Sequence, residues 1–261
     1  MKTITSRDNA FYKELKQLAT SSQARRKAGR SLLDGVHLCQ AWLDLKGAPE
    51  HCLVSEDALS NPEVQAIVRR CEELHAHVTA FPDALFGAIS QVENGVGIAF
   101  VAPTPRPEQP AALSESAVLL DGVQDPGNVG SILRSAGAAG IGQVYCGPGT
   151  AFCWSPKVLR AAMGAHFVLE IFENVDLAAL VRSARVPVLA TSGYAAEQLY
   201  ELDLSQPVAW VLGHEGQGVS PEVLELATHR VAVPHAGQVE SLNVAACAAV
   251  CFFEQLRQSR R

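Results

Sequence analysis

WVLGHEGQGVSPEVLELATHRVAVPHAGQVESLNVAAC, residues 210–247, decides the architecture. Two apolar runs, 208–212 and 231–233, each empty into a turn rich in glycine and small polar residues, with a helix-like segment beyond. Alternation of strand, turn and helix builds α/β folds. In such folds the loops at the carboxyl ends of strands present backbone N–H and C=O groups beside helix N-termini. A ligand site is therefore expected in these two loops.

The same alternation extends back through the second half of the chain. Strands are expected over 117–120, 143–146, 167–171 and 186–191, and helices over 156–163 and 176–184. Asp125-Pro126-Gly127-Asn128 reads as a turn, after which Val129, Ile132, Leu133 and Ala136 stand at helical spacing up to Gly140. The strands are continuously apolar, so both faces should be covered: a mostly parallel sheet with helices on either side. The last helix, 243–258, is apolar from Val244 to Phe253 and is expected to be buried all round.

The first hundred residues read as a separate, smaller α/β domain. Ser6 or Asp8 can cap a helix running to about Ala19, and a short helical piece carries Arg25, Arg26 and Lys27. Strands over 31–34, 52–55, 77–81 and 97–101 alternate with helices over 36–45, 61–74 and 82–88. Residues 103–116, PTPRPEQPAALSES, hold four prolines without apolar periodicity and read as a stiff linker. The expected domains are thus 1–102 and 117–261.

Composition narrows the function. Residues 1–30 carry eight Lys/Arg against Asp8 and Glu14, a net of +6 in a chain of net −6. That split suggests phosphates met at one end of an otherwise acidic body, although a solvated helix face explains it equally well. Seven cysteines without a CxxC pair suggest reduced thiols in the cytoplasm. His37 with Cys39 and His51 with Cys52 lack a second pair at ligand spacing, so no metal is expected. No apolar run reaches the roughly 18 residues of a membrane span, and residues 1–15 lack the apolar core of a secretory signal.

Three polar clusters follow strands in the second half: Asn128 with Arg134; Gly213-His214-Glu215-Gly216-Gln217-Gly218; and 234–243, ending Ser241-Leu242-Asn243. Each has a plain structural reading, as helix cap, surface arginine or tight turn. Their coincidence at strand ends of one domain favours a site. GHEGQG is neither a P-loop nor a dinucleotide fingerprint. A triad of Ser241, His235 and Glu240 or Glu215 lacks the G-x-S-x-G elbow that would expose its serine.

Taken together, DGVQDPGNVGSILRSA, VLGHEGQGVS and VAVPHAGQVESLNVAACAA resemble the three motifs of the SpoU/TrmH branch of SPOUT methyltransferases, and the likeness covers 118–257. RSLLDGVHLCQAWL and QVENGVGIAFV are more loosely similar to the small RNA-binding domain that often precedes it. The resemblance implies a deep trefoil knot and S-adenosylmethionine as methyl donor. It implies methylation of a ribose 2′-hydroxyl in RNA, ribosomal ahead of transfer RNA, by a homodimer. A non-catalytic RNA-binding or ribosome-assembly factor retaining the fold is the rival.

By position, the resemblance assigns Arg134, Asn128, Glu215, Ser241 and Asn243 to the chemistry. It assigns Thr191, Leu212, Gly213, Gly218, Val233 and Leu242 to the cofactor, largely through backbone groups. Arg134 is expected to hold a phosphate or stabilise alkoxide charge, because a guanidinium keeps its proton at neutral pH. RNA binding is expected from Arg25, Arg26, Lys27 and Arg30.

Overall fold

The computed structural model describes residues 1–90, 92, 95–237 and 241–260; parts of the QVENGVGIAFV stretch and Glu240 lie outside them. The chain forms two compact units, Met1–Pro105 with Trp154–Phe167, and Arg106–Cys153 with Val168–Arg261.

The first unit runs β1 (Lys2–Thr3), α1 (Ala10–Thr20), α2 (Ser22–Ala28), β2 (Arg30–Asp34), α3 (Val36–Leu45), β3 (His51–Ser55), α4 (Pro62–Glu73), β4 (His77–Phe81), α5 (Asp83–Phe86) and β5 (Ile98–Pro103). Its sheet has the order β1-β4-β3-β5-β2, with β5 antiparallel to both neighbours and the other pairs parallel. The cap of α1 is Asn9 rather than Ser6 or Asp8, because its Oδ1 accepts from the N–H groups of Phe11 and Tyr12. Tyr12, Leu15 and Leu18 on α1 then pack against Leu32, Leu53, Phe81 and Val101 from the sheet. A fully buried leucine of this kind contributes about 2 kcal/mol.

Two of the four cations expected to meet RNA are committed inside this unit. Arg25 is only 4% exposed; its guanidinium donates to the carbonyls of Leu18 at 2.5 Å and Ala19 at 3.2 Å and to Ser22 Oγ at 3.0 Å. A helix ends with carbonyls that lack intrahelical partners, and Arg25 on α2 satisfies those of α1. Arg30 pairs with Glu14 at 2.8 Å and Glu50 at 2.6 Å. Arg26 and Lys27 are exposed. Arg25→Met should therefore lower stability by about 2–3 kcal/mol, seen in denaturant midpoints. Lys27→Ala should leave stability unchanged and shallow the salt dependence of RNA binding by about one unit of slope.

In the second unit come β6 (Ala117–Asp121), α6 (Pro126–Ala139) and β7 (Gln143–Cys146). After α7 (Pro156–Ala162), which belongs to the first unit, follow β8 (Glu170–Glu173), α8 (Leu177–Arg182), β9 (Val188–Thr191), β10 (Glu197–Gln198), β11 (Ala209–Gly213), α9 (Pro221–Leu226), β12 (His229–Ala232) and α10 (Val244–Ser259). The seven strands lie in the order β10-β12-β9-β11-β6-β7-β8, and every pair is parallel. Alternate residues face opposite ways. Leu119, Tyr145, Ala190 and Val211 meet Leu177, Leu180, Val181 and Val223 of α8 and α9. On the other face Trp210 donates its indole N–H to Gln255 of α10 at 2.8 Å, and α10 lies along α6. The expected α/β class, with a parallel sheet covered on both faces, is what forms.

Four expectations need correction. Asp125-Pro126-Gly127-Asn128 is no free turn but the start of α6: Asp125 caps the helix by accepting from the Asn128 N–H at 2.8 Å, and Pro126 opens it. Both ends of the 103–116 linker are structured. Pro103 pairs with Arg30 in the sheet, while Leu113 is fully buried and accepts from the Arg185 N–H. The 117–261 domain is interrupted, because the Phe167 ring meets Trp42 edge-on at 5.3 Å and α7 lies against β2. Finally, α10 is not buried all round: Ala248, Cys251 and Phe252 are covered, but Ala246 is exposed and Phe253 is 48% exposed.

Among the described residues no helix is long and apolar enough to cross a membrane, and no group of His, Cys, Asp and Glu is arranged to hold a metal ion.

Candidate active site

Strand register brings the expected site together. β12, β9, β11 and β6 are consecutive neighbours in a parallel sheet, so their carboxyl ends share one edge. Thr191 closes β9 opposite Val231, and its hydroxyl donates to the Val211 carbonyl of β11 at 3.0 Å. Gly213 closes β11 opposite Asp121.

Beyond Gly213 the chain doubles back on itself. His214 N–H donates to the Gly218 carbonyl at 3.0 Å, and Gly218 N–H donates to the His214 carbonyl at 2.8 Å. A β-carbon on Gly213 would fall onto the backbone of Gly218 and Val219, so only glycine lets the loop close. Gly218 turns the chain at φ +72°, again the region glycine adopts without strain. Inside the loop His214 Nδ1 accepts from the N–H groups of Gly216 and Gln217 at 2.9 and 3.2 Å. Asp121 Oδ2 accepts from the Ser220 N–H at 2.7 Å and fastens the loop to β6.

The tip of that loop carries Glu215, and the carboxylate ties the loop to residues 124–128. Its Oε1 accepts from the Asp125 N–H and from Asn128 Nδ2, both at 3.0 Å, and its Oε2 accepts from the Gln124 N–H at 3.1 Å. Asn128 Oδ1 in turn accepts from Asn243 Nδ2 at 2.9 Å. Asn243 Oδ1 caps α10, accepting from the N–H groups of Ala245 and Ala246. Thus Asn128, Glu215 and Asn243 form one chain of hydrogen bonds across residues far apart in sequence.

That network sets the ionisation of Glu215. Burial pushes the carboxyl up, but the hydrogen bonds from Asn128, Asp125 and Gln124 outweigh it and hold the pKa down at about 2. A depressed carboxylate stabilises the fold above its unfolded value, about 4.3, and that contribution is lost as pH falls through the folded value. Glu215 is exposed, so solvent screening limits the effect. Glu215→Gln should cost about 1 kcal/mol at pH 7. It should also flatten the fall in melting temperature between about pH 4.3 and 2. An equally steep fall in the variant would remove Glu215 from that role.

Other expected site residues stand as follows. Arg134 is exposed on α6 and makes no hydrogen bond to the network. It lies six residues beyond Asn128, roughly 9 Å along the helix axis. Ser241 is exposed and takes no part in the network either. Leu212 is fully buried in β11, which leaves only its main chain to meet a ligand. Val233 is half-buried, and Leu242 is 41% exposed. Sequence reasoning missed His214, Asp121 and the N–H groups of residues 124 and 125. Nothing in the sequence signals the N–H pair.

Comparison with known proteins places the whole chain among RNA methyltransferases. Residues 115–253 match the SpoU rRNA Methylase family. An uncharacterized tRNA/rRNA methyltransferase of Synechocystis is 34% identical over 98% of this chain and 94% of its own. The 23S rRNA (guanosine(2553)-2′-O)-methyltransferase RlmP of Bacillus subtilis is 32% identical over 97% of this chain and 98% of its own. The solved AdoMet-bound rRNA methyltransferase from Sinorhizobium meliloti superimposes with a TM-score of 0.84 at 26% identity, covering 98% of this chain and 97% of that one. By these matches the chain belongs to the SpoU rRNA methylase family.

Proposed function

We propose that this protein transfers a methyl group from S-adenosylmethionine to a ribose 2′-hydroxyl of ribosomal RNA, working as a homodimer in the cytoplasm. The observation that carries the reading is the Asn128–Glu215–Asn243 network, set beside the glycine loop at the strand ends.

The residues at that edge fit the cofactor. Gly213 and Gly218 keep side chains out of the loop, while Val233 and Leu242 leave apolar surface uncovered. Main-chain donors and acceptors with apolar neighbours suit an adenosine group better than a cluster of charges would. Thr191, Leu212, Gly213, Gly218, Val233 and Leu242 would hold it. When bound, S-adenosylmethionine supplies an electrophilic sulfonium methyl for in-line attack by the ribose oxygen.

The chain's own residues then have to position that oxygen and ease the loss of its proton. Glu215 fixes the β6–α6 and β11–α9 loops against each other, and Asn243 fixes α10 to both. Ser241, at the exposed end of the β12–α10 loop, would meet the acceptor ribose. Arg134 would hold a phosphate or stabilise negative charge on the oxygen, a task for an exposed, charged, hydrogen-bonding fork.

Exposed Arg134 and half-exposed Phe253 lie on α6 and α10, helices that pack against each other. A second copy covering that surface would bury Phe253 and bring its own Arg134 to this chain's loops. The excursion of the chain from β9 out to β10, back to β11 and then into β12 between them is the path on which a trefoil knot would be threaded. The first unit would hold the RNA.

The test is a deletion strain. Ribosomal RNA should lose one 2′-O-methyl nucleotide, restored by the wild-type chain, and purified protein should bind S-adenosylmethionine in calorimetry. Loss confined to transfer RNA would redirect the substrate. Absence of cofactor binding would leave an RNA-binding factor.

A further inference from the structure

Of the four cations through which the basic opening segment was expected to act, Arg25 and Arg30 are committed elsewhere, yet the segment also builds a cavity. At the amino ends of β3 and β4, beside β1, lies a hollow of about 520 Å³ lined by Lys2, Ile4, Phe11, His51, His77 and Thr79 among others. That volume is in the range of small-ligand sites. Strand register explains the lining. His51 pairs with His77 and Lys2 with Thr79, so these four lie on one face, where α1 lowers Phe11 onto them.

Three rings form a row there. Phe11 and His51 stand 4.5 Å apart, and His51 and His77 stack at 5.3 Å with 29° between planes. The inner ring, His51, has its Nδ1 buried without a hydrogen-bond partner among the described residues. Burial, then the neighbouring His77 and Arg30, lower its proton affinity, so the His51 ring is neutral near pH 7. The outer ring, His77, is exposed, and nothing in this unit stacks on its far side among the described residues. Lys2 at the rim is exposed, while the nearby acids Glu14 and Glu50 are taken by Arg30.

We propose that this cavity is a nucleotide site: an unpaired base stacks on His77, at the end of the Phe11–His51 row, and its phosphate meets Lys2. Every base has a π-face, so the site reads single-strandedness rather than sequence. It rests on the reading that the substrate is RNA, and it gives the first unit a grip on an unstacked nucleotide separate from the methyl-transfer site. The same chemistry would admit a free mononucleotide.

The full chain is titrated with guanosine 5′-monophosphate and, separately, with a single-stranded oligoribonucleotide while the imidazole C–H signals of His51 and His77 are followed by NMR. His77→Ala and His77→Phe serve for assignment and affinity. Signals that move with both ligands establish a general nucleotide site; movement with RNA alone makes RNA the source. His77→Ala should weaken RNA binding about tenfold with the melting temperature unchanged, and His77→Phe should restore it. Static signals with both ligands, or wild-type RNA affinity in His77→Ala, overturn the proposal. Moving signals in a chain that transfers no methyl group keep the site and remove the proposed reaction; static signals in a chain that methylates RNA do the reverse.

Discussion

Arg134→Ala should lower single-turnover methyl transfer by about a hundredfold or more while leaving cofactor affinity and melting temperature where they were. The reason is positional. Arg134 is exposed on α6 and is no part of the hydrogen-bond chain that holds the loops, so its removal deletes a charge without loosening the site. A fall in stability equal to the fall in rate would show it to be structural. Mixing two inactive proteins, Arg134→Ala and Gly213→Ala, separates two arrangements. If a second copy supplies the arginine, each mixed dimer regains one intact site, and random exchange restores roughly a quarter of wild-type activity. If the arginine serves its own loops, mixing restores nothing.

Gly213→Ala should abolish cofactor binding in calorimetry, a loss of about a hundredfold at least, and lower stability by about 3 kcal/mol. The added methyl group must occupy space held by the Gly218 and Val219 backbone, which is fixed by the paired hydrogen bonds between His214 and Gly218. Backbone cannot rotate away as a side chain could. Gly218→Ala is the control: open space surrounds it, so only its φ of +72° opposes the change, at about 1–2 kcal/mol. Equal losses in the two variants would mean that loop strain, rather than closure at Gly213, governs the site.

Much of the fold was legible because its punctuation is strong. Val36–Leu45, His77–Phe81 and Gln143–Cys146 have the expected bounds, each an apolar pattern closed by glycine, proline or polar residues. The two-residue strands β1 and β10 were not legible, since two residues carry no periodicity. Asp125 misled because the same Asp-Pro-Gly signal serves a turn and a capped helix start. Arg25 misled because charge predicts exposure, whereas the carbonyls it satisfies belong to a helix whose end was uncertain by a residue or two.

At the site, the residue types were readable and their partners were not. Glu215 and Asn128 stood out as polar groups after strands, but a bond between positions 87 residues apart follows only from sheet order. His214 stood in the glycine loop without an assigned role, and yet its ring nitrogen organises the loop by accepting from two N–H groups.

Asn243 joins the cap of α10 to the side chain of Asn128, and this has a consequence during synthesis. The N-terminal unit's sheet is complete once the ribosome has passed β5, whereas the proposed catalytic assembly waits for the last of its pieces to emerge. A message broken shortly before Asn243 would release a chain with its first sheet complete and the Asn128–Glu215–Asn243 network unformed. If the first unit holds the RNA, as proposed above, such a fragment would occupy substrate without turning it over. Quality control of truncated products therefore matters more for this protein than for one whose catalytic groups come first in the chain.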